Sequence, residues 1–384
     1  MALRDLAREV AVEVFAPQAA EWDLNRTLLP ESEVKRLADL GFLGITLPQE
    51  YGGSAAPLMD ALIVIEELAK ECRPAAFQVF EANVGPARVI EFFGTDQQRK
   101  DVLPGVVRGE VNVAVGISEP DAGSGATDMR TSAVLEGDEL VINGTKRWIS
   151  GGGHSSHYLL YARLSGDAGA RGIGAVLVPA DTPGLSFGAQ EKLMGFRGIA
   201  SADLVFQDAR VPAANLVIQA GGFRDLFQVF SIERMGNATM SLALGQAALE
   251  RTIAYTAERE QFGRPIMEFQ QVHQTVAEMT MQVEAARLLI TRAAVNAGTG
   301  LPNTLEVSLA KCYANEMAKR VTDLAMQLHG GNGYTEEYGI ERMHRDAHGW
   351  AIAGGTPAMQ RTRIATEIYG RPFPQRPAES VAAP

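Results

Sequence analysis

VNVAVGISEPDAGSGATDM, residues 111–129, is the stretch at which the chain changes texture. Up to about Val107 the apolar residues recur at helical spacing. In LMDALIVIEELAKEC (58–72), for example, Leu58, Leu62, Ile65 and Leu68 share one stripe. From 111 onward come short runs rich in β-branched and aromatic residues: VNVAVGI, SAVLEGDELVING, KRWIS, HYLLYARL, GIGAVLVPA and ADLVFQDARV. Gly137-Asp138 and Asn143-Gly144 read as hairpin turns between them. From Gly222 the helical period returns, near 223–258, 268–297, 303–330 and 356–369. At 1.5 Å per residue the first of these spans about 50 Å. The expected class is therefore α+β. A helical domain over 1–108 precedes an antiparallel, barrel-like β domain over 109–220; a C-terminal four-helix bundle over 221–370 and a flexible tail over 371–384 follow. Helices this long in an antiparallel bundle commonly pair with copies of themselves.

The composition suits a folded protein of two or three domains: 384 residues, 46% hydrophobic and 21% charged. A net charge of −11 leaves no chain-wide basic field for nucleic acid or anionic lipid. Cys72 and Cys312 form no CxxC and suggest no disulfide framework. The first twenty residues mix Arg4 and Arg8 with Asp5 and Glu9, as an amphipathic helix does and a signal peptide does not. No apolar run is long enough to span a bilayer, so a cytoplasmic protein without a membrane partner is expected.

Three motifs look catalytic and fail on inspection. His344 and His348 stand four apart on a helix, but Arg345 occupies the position where a zincin needs Glu, and no metal is expected. Ser124 lies in GSG, yet the nucleophile elbow requires glycine where Ala122 stands. GGGHSS (151–156) is a near miss to a phosphate loop and falls between strands.

Five further segments carry a specific resemblance: GISEPDAGSGATDM (116–129), KRWISGGG (146–153), EKLMGFRGIASADLVFQDARVP (191–212), AEREQFGRPIMEFQ (257–270) and QLHGGNGYTEEYGIERMHRDA (327–347). In this order, inside an α–β–α chain of this size, they resemble the acyl-CoA dehydrogenase superfamily, whose fold is α–β–α as well. The resemblance implies FAD as cofactor. It implies FAD contacts from Ile117, Ser118 and Ser124, with Ser124 also near the CoA end, and from Trp148, Ile149 and Ser150 along the flavin. Arg259, Phe269 and Gln270, with Gln327, Gly330 and Gly331, correspond to residues that complete the FAD site of a neighbouring subunit. By its residue type alone Gly330-Gly331 reads equally as a helix C-cap. Thr356 matches another FAD contact, although the Gln or Glu that the family has two residues later is Ala358 here.

The family chemistry removes a proton alpha to a thioester and transfers hydride from the beta carbon to flavin. It needs a carboxylate raised in pKa by burial. In most members that carboxylate begins a Glu-Gly-Thr segment; here the segment is AGGT (353–356), and the position is Gly354. Isovaleryl-CoA dehydrogenase-like members carry the base on the first long C-terminal helix instead. The matching segment is FSIERM (230–235), with Glu233 30 residues before Gly263. Glu233 shares a helical face with Phe230, Gly236 and Met240, an apolar and partly small surface suited to an acyl chain. The resemblance further implies that Phe230, Arg234, Gly355 and Glu81 touch substrate, and that the Gly354 amide polarises the thioester oxygen. An acyl-CoA substrate, a homotetramer, and an electron-transfer flavoprotein as electron acceptor are then expected.

Two other readings stand beside this one. AGGT also resembles 3-sulfinopropionyl-CoA desulfinases, which need no base because sulfite leaves without α-proton abstraction. A catalytically silent FAD-binding subunit would show intact cofactor motifs and no working base.

Overall fold

The computed structural model describes residues 2–374; of the expected tail, 375–384 lies outside them. Seven helices come first: α1 (Ala2–Val10), α2 (Ala16–Asn25), α3 (Glu31–Asp39), α4 (Leu58–Glu71), α5 (Arg73–Asn83), α6 (Ala87–Phe93) and α7 (Asp96–Val107). Helix α4 is buried well beyond the expected stripe. Glu67 and Lys70, inward as well, pair at 2.6 Å, and Arg8 of α1 reaches Glu67 at 3.2 Å. Inward charges persist here because each has a partner.

Eight strands follow: β1 (Val113–Gly116), β2 (Ser132–Glu136), β3 (Glu139–Ser150), β4 (His157–Arg163), β5 (Ile173–Pro179), β6 (Leu185–Phe187), β7 (Ser201–Pro212) and β8 (Leu216–Ile218). They form one sheet in the order β6-β7-β3-β2-β4-β5-β8, with β1 beside β4. Most pairs are antiparallel as expected, but β4 lies parallel to β1 and meets β2 in a parallel bridge. Gly137-Asp138 does turn the chain between β2 and β3, with Gly137 at φ +66°. Asn143-Gly144 does not turn it. Both residues lie inside β3, where the register against β7 slips. The Asn143 amide and Asp208 exchange two hydrogen bonds of 2.9 Å across that slip, so the side chain that would close a turn closes a bulge instead.

The C-terminal part begins with α8 (Phe223–Glu258), passes a small hairpin of β9 (Glu260–Gln261) and β10 (Arg264–Pro265), and continues as α9 (Gln270–Ala297) and α10 (Thr304–His329). Two shorter helices, α11 (Ile340–Ile352) and α12 (Pro357–Tyr369), pack on α10, so the fourth place of the expected bundle is filled by a broken element. Helix α8 is the central rod, touching α4, α9, α10 and α11. Its small residues permit that crowding: a Cβ on Gly236 would stand 2.6 Å from the Phe80 ring, and one on Gly245 would stand 2.5 Å from Met317 Sδ.

Candidate functional site

The three parts of the chain meet around a cavity of about 180 Å3. Helix α5 lines one side, β1, β3 and β4 another, and α8 with the end of α11 closes it. Nine of the residues singled out from sequence line it: Glu81, Ile117, Ser118, Trp148, Ile149, Ser150, Phe230, Glu233 and Gly354.

The sheet side of the cavity is shaped by a second bulge in β3. Lys146 faces Leu204 and Ile149 faces Ala202, leaving Arg147 and Trp148 opposite a single residue. Trp148 is thereby turned out at φ +56° and is 58% exposed, with the Arg147 guanidinium 5.0 Å from its ring centroid. A large aromatic face held in a left-handed conformation beside Ile117 and Ser118 suits a flat, aromatic ligand lying along it. The loop carrying Ile117 and Ser118 is tied to the same strand. Arg147 N donates to Ser118 O at 2.8 Å, and Lys146 Nζ donates to Ile117 O at 3.0 Å and to Glu119 Oε1 at 2.8 Å. Glu119 in turn accepts from the Arg130 and Thr131 amides, so the glutamate of SEPDAG anchors the loop.

On the helical side, Glu233 projects from the second half-dozen residues of α8 toward the loop after α11. Its Oε2 is buried with no hydrogen-bond partner. Burial pushes the carboxyl up to about 7, against the opposing pull of the Lys311 and Arg234 charges. Glu81 of α5 is held well above the usual carboxylate range by burial and by the charge of Glu233. Gly354 adopts φ +68°, and a Cβ built on it would stand 3.0 Å from Glu233 Oε2. The glutamate of α8 thus fills the space into which a side chain at 354 would point. The Gly354 carbonyl accepts from Arg234 Nε at 3.1 Å, while among the described residues its N–H meets no acceptor. Gly236, on the same helical face as Glu233, is packed against Phe80 and Val84.

The remaining singled-out residues lie elsewhere. Ser124 is exposed on its loop, and Arg234 turns its guanidinium over the Phe227 and Phe230 rings. Gly355 O takes a hydrogen bond from Lys311, and Thr356 caps α12 through Met359 N. Arg259, Phe269, Gln270, Gln327, Gly330 and Gly331 gather at the far end of α8. There Tyr255 stacks on His329 with centroids 4.2 Å apart and accepts from Asn332 at 3.1 Å. Gly330 sits at φ +58° as the C-cap of α10. At 1.5 Å per residue, the last turn of α8 lies about 33 Å from Glu233, too far to share this cavity. His344 and His348 place their rings 5.0 Å apart, and no group of three metal-ligating side chains occurs among the described residues. Among those residues, no helix is long and apolar enough to cross a membrane.

Sequence reasoning missed Lys311, Tyr161 and Trp350. Tyr161 Oη and Trp350 Nε1 are buried without partners in the cavity wall. A hydroxyl in a strand and an indole in a helix give no sign in sequence that they go unpaired.

The raised Glu233 carboxyl carries a consequence for stability. Folding holds the neutral acid better than the anion, so the stability it contributes is full below its unfolded value of 4.5 and is lost as pH rises through about 7. Glu233→Gln therefore stabilises the fold at pH 8 relative to pH 4.5, by on the order of 2 kcal/mol. Denaturant unfolding at the two pH values reads this; an equal effect at both would contradict the burial of an ionisable group at 233.

Known proteins match this chain over most of its length. The acyl-CoA dehydrogenase N-terminal domain profile matches residues 1–110, the middle domain 114–209 and the C-terminal domain 220–369. A 3-sulfinopropanoyl-CoA desulfinase of Variovorax paradoxus is 40% identical over 97% of this chain and 95% of its own length. A short-chain-specific acyl-CoA dehydrogenase of Clostridium acetobutylicum is 35% identical over 96% of this chain and 97% of its own. The structure of butyryl-CoA dehydrogenase from Megasphaera elsdenii superposes with a TM-score of 0.92 at 33% identity, covering 96% of this chain and 97% of that one. With both helical domains, the β domain between them and these relatives in agreement, the chain belongs to the acyl-CoA dehydrogenase family.

Proposed function

We propose that this protein is an FAD-dependent acyl-CoA dehydrogenase that introduces a 2,3 double bond into an acyl thioester with Glu233 as base. The observation that carries the reading is the Glu233 carboxylate itself: buried, unpartnered at Oε2, and aimed at the place where a side chain from Gly354 would begin. FAD, when bound, supplies the acceptor for the hydride that leaves the beta carbon. Ile117, Ser118, Trp148, Ile149 and Ser150 offer it a wall, and the outward Trp148 ring supports that fit. Glu233 takes the alpha proton and is neutral afterwards. The free Gly354 N–H donates to the thioester oxygen as negative charge develops there. Phe77, Phe80 and Trp350 exclude water around the acyl group.

Arg259, Phe269, Gln270, Gln327, Gly330 and Gly331 serve the FAD of a second copy, because their own cavity is a helix length away. Met281, Leu288 and Val295, spaced by seven on α9 and 62, 67 and 63% exposed, give such a copy an apolar seam, as does Phe262 at the hairpin tip. The protein is accordingly a homotetramer, or at least a homodimer. Light scattering at micromolar concentration checks this; a monomer with a full complement of FAD would overturn it. Electrons pass on to an electron-transfer flavoprotein.

The 40% identity to a desulfinase favours a second reading, sulfite loss from a 3-sulfinopropionyl thioester. Anaerobic mixing with butyryl-, isovaleryl-, 3-phenylpropionyl- and 3-sulfinopropionyl-CoA separates the two. Dehydrogenation bleaches the flavin with at least one of the first three; desulfination releases sulfite from the last without bleaching.

A further inference from the structure

Lys311 is a buried charge beside the cavity that the proposed reaction does not yet use. It projects from α10, is fully buried, and makes no hydrogen bond to a carboxylate. Its Nζ donates to three neutral acceptors, each at 2.9 Å: Ala353 O, Gly355 O and Asn315 Oδ1. The first two flank Gly354. Asn315 is itself held, donating to Asn237 Oδ1 at 3.0 Å and to Ser241 Oγ at 2.7 Å, and Asn237 donates back to Trp350 O and Ala353 O at 3.2 Å. With Arg234 Nε on Gly354 O, every carbonyl of the AGG turn is occupied. Such a turn cannot rotate its middle peptide without breaking buried hydrogen bonds, each of which costs about 1–3 kcal/mol to leave unmade.

The same ammonium lies beside the base. A Cβ on Gly354 would stand 3.2 Å from Lys311 Cε and 3.0 Å from Glu233 Oε2, so lysine and glutamate flank one point in space. We infer that Lys311 is a positioning residue of this site, clamping the Ala353–Gly355 turn so that the Gly354 N–H faces the thioester, and placing a positive charge next to Glu233. The inference rests on the dehydrogenase reading for its second half only; the clamp concerns the thioester oxygen whatever removes the proton.

The groups facing Glu233 from the elements packed on it are Glu81 of α5, Tyr161 of β4, Arg234 of α8 and Lys311 of α10, with Arg363 of α12 acting on Arg234. Among the cations, Lys311 lowers the Glu233 carboxyl most. Removing its charge therefore raises that carboxyl further, and less of the base is ionised at a given pH.

The test uses the FAD-loaded enzyme and two substitutions. Lys311→Met removes clamp and charge; Lys311→Gln keeps two N–H donors and removes the charge alone, and it replaces the methionine variant if that one does not fold. Flavin reduction by the fastest acyl-CoA of the panel is followed against pH. Affinity is compared for pivaloyl-CoA, a thioester without alpha hydrogens, and its thioether counterpart without the carbonyl. For Lys311→Met the acid limb moves up by about one pH unit or more, a roughly tenfold loss of rate below it. The preference for thioester over thioether falls several-fold. For Lys311→Gln the limb moves and most of the preference stays. An unchanged limb together with an unchanged preference overturns the inference. A Glu233→Gln enzyme that reduces flavin at the wild-type rate overturns Glu233 as base instead, and the thioester preference still decides the clamp.

Discussion

Glu233→Gln slows flavin reduction by acyl-CoA at least about 10²-fold, the loss typical when a general base is removed. The amide keeps the size and polar surface of the carboxylate but has no lone pair basic enough to take an alpha proton. Because Glu233 Oε2 makes no hydrogen bond in the fold, the change breaks no internal contact there. FAD content and affinity for pivaloyl-CoA stay near wild type, which separates this outcome from collapse of the site. Single-turnover mixing under anaerobic conditions measures it. A wild-type rate in the variant would show that Glu233 is not the base that takes the alpha proton. In the unmodified enzyme the reduction rate rises with pH through about 7, as the buried acid ionises.

The long-range plan of this molecule was legible in its sequence because it depends on period and punctuation. Helix α8 begins at Phe223, next to Gly222, and runs to Glu258, the residues the helical period marked. The positions around the cavity were legible by resemblance, and the structure brings Glu81, Trp148, Phe230, Glu233 and Gly354, from four separate stretches of chain, to one place. What escaped was whatever depends on the partner and not on the residue. Asn143-Gly144 has turn composition and serves a bulge, because Asp208 lies across the sheet to receive it. Lys311 reads as an ordinary helix lysine. Only the return of the chain at 353–355, more than forty residues later, makes it an internal cation. Contacts set by tertiary return leave no local pattern, and the turn at 353–355 is held by them.

The interchange of positions 233 and 354 leads to the second large effect. Moving the carboxylate from α8 to the turn restores part of the rate, provided the original side chain is cut back. A side chain at 354 starts 3.0 Å from Glu233 Oε2 and 3.2 Å from Lys311 Cε, so glutamate at both positions collides and places two carboxylates together. A glutamine on α8 fills the same volume as the glutamate it replaces, and Glu233→Gln/Gly354→Glu gains nothing over Glu233→Gln alone. Glu233→Ala/Gly354→Glu opens that volume, and flavin reduction rises about tenfold above Glu233→Ala, a fraction of what a well-placed base supplies. Recovery is incomplete because the turn holds residue 354 at φ +68°, where a residue with a Cβ is strained by about 1–2 kcal/mol. A melting temperature a few degrees lower accompanies the gain. The two double variants share their new glutamate and differ only at 233, so their ratio isolates space from charge. Equal rates in the two, with both folded and loaded with FAD, would show that the carboxylate of α8 does not stand in for one at 354.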